Sequence, residues 1–152
     1  MSERVYLVDT NVLSAGAPTK ADSAPGLTAW MERHSAQLYL SAITVAEVEE
    51  GIAKARRSGA ARKADGLADW LEAVLHLYGA RILPLDAAVA RVLGKLSDQA
   101  RSAGHAPGLA DLAIAATAAR HGYTVLTRNL RHFRPLAVPS HDPFASLPAK
   151  PR

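Results

Sequence analysis

Cysteine is absent from this chain of 152 residues. No disulfide framework, thiolate metal site or cysteine nucleophile is therefore open to it. Acidic residues are fewer than basic ones, 14 Asp and Glu against 18 Lys and Arg, for a formal net charge of +4. So mild an excess admits an anionic partner such as nucleic acid without demanding one. Long apolar runs are missing, so no segment is expected to span a bilayer. The first residues show no basic stretch leading into an apolar run, so no signal peptide is expected. Together with the missing cysteine, this leads us to expect a cytoplasmic protein that meets no membrane. Trp is scarce, and Trp30 and Trp70 fit a core or an interface better than a base-stacking platform.

Apolar residues are plentiful, at 49% of the chain, enough for one globular domain with a real core and hardly enough for two. They fall into alternating short runs and longer periodic stretches. Residues 4–8 read as a buried strand, followed by a short helix near Thr10–Ala15 and a loop marked by Gly16, Pro18, Pro25 and Gly26. Leu27–His34 reads as a helix and Leu38–Ile43 as a second strand. Helices are expected from Thr44 to Arg57 and from Ala61 to Tyr78. Arg81–Leu85 reads as a short third strand, and Asp86 as the N-cap of a helix over Ala87–Ala103. After a loop at Gly104–Gly108, Leu109–His121 is apolar almost all round, the mark of a helix buried in the middle of the fold. Tyr123–Thr127 reads as a fourth strand, Arg128–Arg134 as a polar loop, and Leu136–Val138 as a short edge strand between prolines. A domain over residues 1–140 is expected, with 141–152 as an irregular, proline-rich tail. Strands alternating with helices imply an α/β fold with a parallel sheet and right-handed crossovers.

Three acids fall where such a fold places chemistry, beyond the carboxyl ends of its strands. Asp9 ends strand one, Glu47 lies one turn into the helix after strand two, and Asp111 opens the buried helix before strand four. Each also has a plainer reading. Asp9 would N-cap the next helix. Thr44-x-x-Glu47 spells a capping box, and Asp111 would favour the positive end of its helix dipole. Asp111 nevertheless stands among Leu109, Ala110, Leu112, Ala113 and Ile114, where a carboxylate is desolvated unless something polar meets it. If strands one and four are neighbours, the three acids and the polar Thr127-Arg128-Asn129 cluster converge on one edge. Carboxylates so close call for a proton or a hard cation between them, and Mg²⁺ or Mn²⁺ is the natural one.

The blocks Val8-Asp9-Thr10-Asn11-Val12-Leu13-Ser14, Ser41 to Ile52 around Glu47, Ala110 to Ala118 around Asp111, and Gly122 to Asn129 with His132-Phe133 together closely resemble the PIN-domain family. Within it the chain is similar to the VapC-type toxins of bacterial toxin–antitoxin pairs, FitB-like members included. The resemblance runs in order over nearly the whole chain. It implies a single three-layer α/β/α domain around a central parallel sheet of four to five strands. It also implies a hydrolase: a Mg²⁺- or Mn²⁺-dependent endoribonuclease that inhibits translation or growth until an antitoxin neutralises it. Asp9 and Asp111 match the family's metal-ligand aspartates, and Glu47 its third acid, acting directly or through water. Asn129 stands where many members carry a fourth acid, and is expected to hold a metal-bound water or a substrate phosphate. Thr127, Arg128 and Arg131 are expected to bind substrate, with His132 and Arg134 placed to meet RNA phosphates. Thr10 and Asn11 are expected to shape the turn through local hydrogen bonds. The partners implied are an RNA substrate, a second copy of the chain, and a VapB-like DNA-binding antitoxin, in a heterotetramer or larger assembly.

Two other readings fit part of the pattern. An aspartyl-nucleophile phosphatase also opens with an apolar strand ending in aspartate, but wants a second aspartate where Asn11 stands. A non-catalytic nucleic-acid-binding module would use the acids only as caps.

Overall fold

A computed structural model describes residues 4–19 and 24–150. Five strands form one parallel sheet in the order β3-β2-β1-β4-β5. They are β1 (Tyr6–Val8), β2 (Leu38–Ser41), β3 (Ile82–Leu83), β4 (Thr124–Leu126) and β5 (Ser140–His141). The helices are α1 (Thr10–Leu13), α2 (Pro25–Arg33), α3 (Ala42–Arg57), α4 (Ala61–Tyr78), α5 (Ala87–Ser102), α6 (Leu109–His121) and α7 (Leu130–Phe133). Among the described residues no helix is long and apolar enough to cross a membrane.

The period-2 alternation of the strands divides their side chains between two cores. Tyr6, Val8, Leu38, Leu40 and Leu126 face one side, where they pack with Leu13, Trp30, Val74 and Tyr78 from α1, α2 and α4. Leu7 and Val125 face the other, against Leu112, Ile114, Ala115 and Ala118 of α6 and Phe133 of α7. This is the three-layer arrangement expected from the sequence. Helix α6 is buried from Leu112 to Ala118, as its all-round apolar character requires. It ends at Gly122, whose φ of 75° is left-handed. A third cluster, with Val48, Ile52, Ala64 and Leu71, joins α3 to α4 away from the sheet.

Trp30 is buried in the first core, edge-on to Tyr6. Trp70 packs partly buried between the first and third clusters.

Strand β1 lies between β2 and β4, with Val8 opposite Leu126. Asp9 and Thr127, the next residue on each strand, therefore emerge side by side. The parallel ladder fixes this adjacency.

Two local expectations are corrected. Leu136–Val138 is not the edge strand: Arg134–Leu136 forms a 3₁₀ turn, Ala137 takes φ 53°, and the edge strand is Ser140–His141. Leu136 and Val138 are instead buried in the second core, and pairing starts at Pro139, whose carbonyl accepts from the Val125 N–H at 2.8 Å. Proline lacks a donor but keeps its acceptor, so the edge begins there. The segment read as a polar loop after β4 holds the helix α7, pinned by the fully buried Phe133. Beyond β5 the chain is irregular, yet Phe144 packs on the first core and bonds through its N–H to Asp142 Oδ1 at 2.9 Å.

Arg81 fastens three segments. Its guanidinium donates to the carbonyls of Ser35, Leu38 and Leu77, and stacks 4.8 Å from the Tyr78 ring centroid. Lysine cannot reproduce a planar fork with several fixed donors. We expect Arg81→Ala to cost about 2–3 kcal/mol, because two or more charge-assisted bonds to carbonyls are lost. Arg81→Lys should recover less than half of that loss. Urea unfolding of the three proteins measures both; equal stability of Lys and Arg would refute the fork argument.

Candidate active site

Asp9 ends β1 and N-caps α1. Its backbone is extended, at φ −69° and ψ 154°, and Oδ1 accepts the Thr10 N–H at 2.8 Å. Oδ2 accepts from the Thr127 hydroxyl at 2.8 Å and from Asn11 Nδ2 at 3.1 Å. The side chain is almost wholly buried, at 5% exposure for the residue. Burial pushes its carboxyl above the ordinary value of 3.8; the bonds from Thr127 and Thr10 pull it back, while the charges of Asp111 and Glu47 push it up further. The cap and the negative cluster coexist in one residue.

Glu47 reaches the same edge from α3. The capping box expected at Thr44–Glu47 does not form. Helix α3 starts at Ala42, two residues before Thr44, and Ser41 is its N-cap through a 3.2 Å bond from the Ile43 N–H. The strand ends on a serine that caps at once, leaving Thr44 fully buried inside the first turn. Glu47 is thus freed from the helix start. Its Oε1 accepts from the Thr10 hydroxyl at 2.6 Å, with the Thr44 hydroxyl 3.1 Å from that of Thr10.

Asp111 enters from the first turn of α6, whose N-cap, Gly108, offers no side-chain bond. Its Oδ2 lies 3.2 Å from Nδ1 of His132 on α7. His132 follows the Thr127–Asn129 cluster in sequence, and only the position of α7 shows an acid beside it. Nothing in the sequence spacing announced that pairing.

The polar cluster after β4 divides its duties. Thr127 is fully buried. Its hydroxyl donates to Asp9 and accepts from the Asn129 N–H at 3.0 Å. It holds Asp9 and does not reach solvent. Asn11 ties the ends of two strands: its Oδ1 accepts from the Arg128 N–H at 3.1 Å while its Nδ2 donates to Asp9. Arg128 is exposed, with its guanidinium 3.7 Å above the Phe144 ring. That seat was invisible in the sequence, where Phe144 belongs to a tail with no periodicity. Asn129 is an exposed residue at the start of α7, and its side chain caps nothing. Arg131 and His132 line a cavity of about 310 Å³ together with Asp111 and His105. A second cavity, about 370 Å³, runs from Thr10 and Glu47 along α3 to Lys54, Lys63 and Trp70.

Among the described residues no Lys or Arg pairs with Asp9, Glu47 or Asp111. Nor does any group of three His, Asp or Glu side chains among them gather closely enough to hold a metal ion. Glu47 is turned to Thr10, and Asp111 to His132. Carboxylates are the donor type that hard ions such as Mg²⁺ or Mn²⁺ take, one or two at a time alongside several waters.

Comparison with known proteins agrees with this architecture. The PIN domain family model matches residues 6–138. The toxin FitB of Neisseria gonorrhoeae is 36% identical over 142 residues, covering 92% of this chain and 99% of FitB. The VapC ribonuclease Y4jK of Sinorhizobium fredii is 37% identical, with 92% and 98% covered. The crystal structure of FitAcB from N. gonorrhoeae superposes with a TM-score of 0.80 at 35% identity, covering 91% of this chain and 98% of the one matched. Strand order, buried acid and family model all converge: the chain belongs to the PIN-domain family.

Proposed function

We propose that this chain is the toxin of a toxin–antitoxin pair, a divalent-metal-dependent endoribonuclease that hydrolyses RNA phosphodiester bonds. The observation that carries the reading is the buried Asp9, pressed by the charges of Asp111 and Glu47 at the carboxyl edge of a parallel sheet. Relatives named as a toxin and as a ribonuclease, more than 30% identical over nearly the whole chain, support it.

Asp9 and Asp111 would hold Mg²⁺ or Mn²⁺, with Glu47 completing the shell through water. When bound, the ion polarises a phosphoryl oxygen and lowers the pKa of a coordinated water. The chain's own groups do the rest. Thr127 and the Thr10 N–H fix both oxygens of Asp9, so its carboxylate does not swing. Thr10 holds Oε1 of Glu47, leaving Oε2 to accept the proton of the attacking water. Asn129 offers its amide to a water or a phosphate, and Arg128 and Arg131 meet the flanking phosphates. Arg128 is preorganised by its stack on Phe144, a contact of about 1 kcal/mol.

The FitAcB relative was solved as a complex, and another match, 34% identical with a TM-score of 0.77, is FitAB bound to a DNA fragment. By analogy the partner here is a DNA-binding antitoxin that neutralises the nuclease, and both act in the cytoplasm where RNA is made. Purified chain should cleave RNA when Mn²⁺ is supplied and stop when EDTA is in excess. Cleavage that persists in EDTA, or in Asp111→Asn, would refute the metal-dependent reading.

A further inference from the structure

We propose that the cavity flanked by α3 and α4 is the track on which an RNA strand lies beside the bond that is cut, with Lys54 and Lys63 meeting its phosphates. The inference rests on the ribonuclease reading and extends it away from the acids.

The cavity, about 370 Å³, begins at Thr10 and Glu47, passes Gly51 and Lys54 of α3, and reaches Lys63 of α4. It is therefore continuous with the edge where the acids stand. Glu47, Gly51 and Lys54 fall at i, i+4 and i+7 of one helix and share a stripe. At the rise of an α-helix, Lys54 stands about 10 Å along the axis from Glu47, roughly the reach of three stacked nucleotides of one strand. The floor between them is open. Gly51 is exposed, and a Cβ there would meet nothing within 4 Å.

Charge divides the basic run over residues 54–63. Arg56 pairs with Asp65 at 2.9 Å, and neither lines the cavity. Lys54 and Lys63 do line it, and among the described residues neither makes an ion pair. Glu47 is the only acid among the described residues on that lining. A small anion would occupy the lysine end alone. A strand with a phosphate at every residue meets both ends at once: the phosphate to be cut lies at the acids, and its neighbours lie at the lysines. An ammonium on a flexible stem follows a phosphate without reading a base. The track thus sets affinity and position, not sequence.

Binding of a labelled oligouridine, followed by fluorescence anisotropy on the whole chain in EDTA, keeps the strand intact and reads the lysines directly. Each lost lysine–phosphate contact should lower the slope of log Kd against log salt by about 0.7. Lys54→Ala and Lys63→Ala are each expected to do so and, near 0.1 M salt, to weaken binding about fivefold. Lys54→Arg keeps the charge and should bind within about twofold of wild type. Arg57→Ala and Arg62→Ala remove the same charge outside the cavity and should move the slope by less than half as much. With Mn²⁺, the two lysine variants should raise KM and leave kcat near wild type, since they stand away from the reacting atoms. Gly51→Leu should raise KM severalfold by filling the floor. Its melting temperature should not fall, because leucine favours a helix over glycine and its Cβ meets nothing there. Equal salt slopes in wild type and both lysine variants, or no salt-dependent binding by wild type, overturn the inference; if wild type still cleaves RNA, the nuclease reading stands. Lower slopes in a chain that cleaves no RNA with Mn²⁺ keep the RNA track and overturn the nuclease reading. If the substitutions weaken binding of a polyglutamate peptide and leave oligouridine untouched, the cavity is a protein-docking site and the inference fails.

Discussion

Asp9→Asn is expected to lower kcat/KM for Mn²⁺-dependent RNA cleavage by about a thousandfold or more while the protein stays folded. Several kcal/mol of charge stabilisation at the phosphoryl group depend on a cation held in place, and each 1.36 kcal/mol is tenfold in rate. The substitution is chosen for what it keeps. Asparagine retains Oδ1, the acceptor of the Thr10 N–H at 2.8 Å, so the cap of α1 survives. It exchanges Oδ2 for a donor, so the Thr127 hydroxyl must reverse its bond and Asn11 loses an acceptor. That costs about 1 kcal/mol. Removing a buried negative charge beside Asp111 and Glu47 works in the opposite direction.

The sign of the second effect is open to measurement. Burial, together with Asp111 and Glu47, holds the Asp9 carboxyl above 3.8 in the fold. Its ionised form is therefore a cost to folding, present in full above the raised value and removed as pH falls through it towards 3.8. In EDTA, the melting temperature of Asp9→Asn relative to wild type should be highest at neutral pH and should fall back as the pH is lowered through that window. Mn²⁺ reverses the order. An ion at a hundred times its dissociation constant adds about 2.7 kcal/mol to wild type, a rise on the order of 5–10 °C at this size, and adds little to the variant. A pH series by scanning calorimetry, with and without Mn²⁺, tests both halves. If the variant is as active as wild type, the acids are only caps and the nucleic-acid-binding reading takes over.

Much of this site was legible in the chain because parallel sheets put strand ends on one edge. Asp9 and Thr127 are neighbours for no reason beyond Val8 pairing with Leu126, and an apolar run ending in a polar residue marks each of those strands. What the sequence hid depended on competition between equally good local signals. Thr44-x-x-Glu47 spells a helix start within a segment whose preceding residues, through Ile43, read as strand. In the structure Ser41 caps instead, because β2 ends there and its hydroxyl reaches the Ile43 N–H; only then does Glu47 lie deep enough in α3 to meet Thr10. The His132–Asp111 and Arg128–Phe144 contacts join residues on separate elements, across a helix or a tail whose course carries no periodic mark. Leu136 and Val138 carry a similar ambiguity. An apolar-x-apolar run between prolines looks the same whether it pairs at a sheet edge or plugs a core, and here it plugs the core.

The second large effect is on stability, and it comes from outside the acids. Phe133→Ala is expected to cost about 3–5 kcal/mol and to lower the melting temperature on the order of 10 °C. Phe133 is among the largest fully buried side chains, and it packs with Leu7 and Val125 of the sheet and Leu112 and Ile114 of α6. Four residues of helix cannot persist unaided, since nucleation is costly and no turn follows to repay it. Helix α7 therefore exists because Phe133 is sunk in that core, and truncating the ring both opens a cavity and frees the element. Phe133→Leu fills most of the volume and should lose less than half as much. A fall in melting temperature below about 3 °C would show that α7 is not anchored by its aromatic ring.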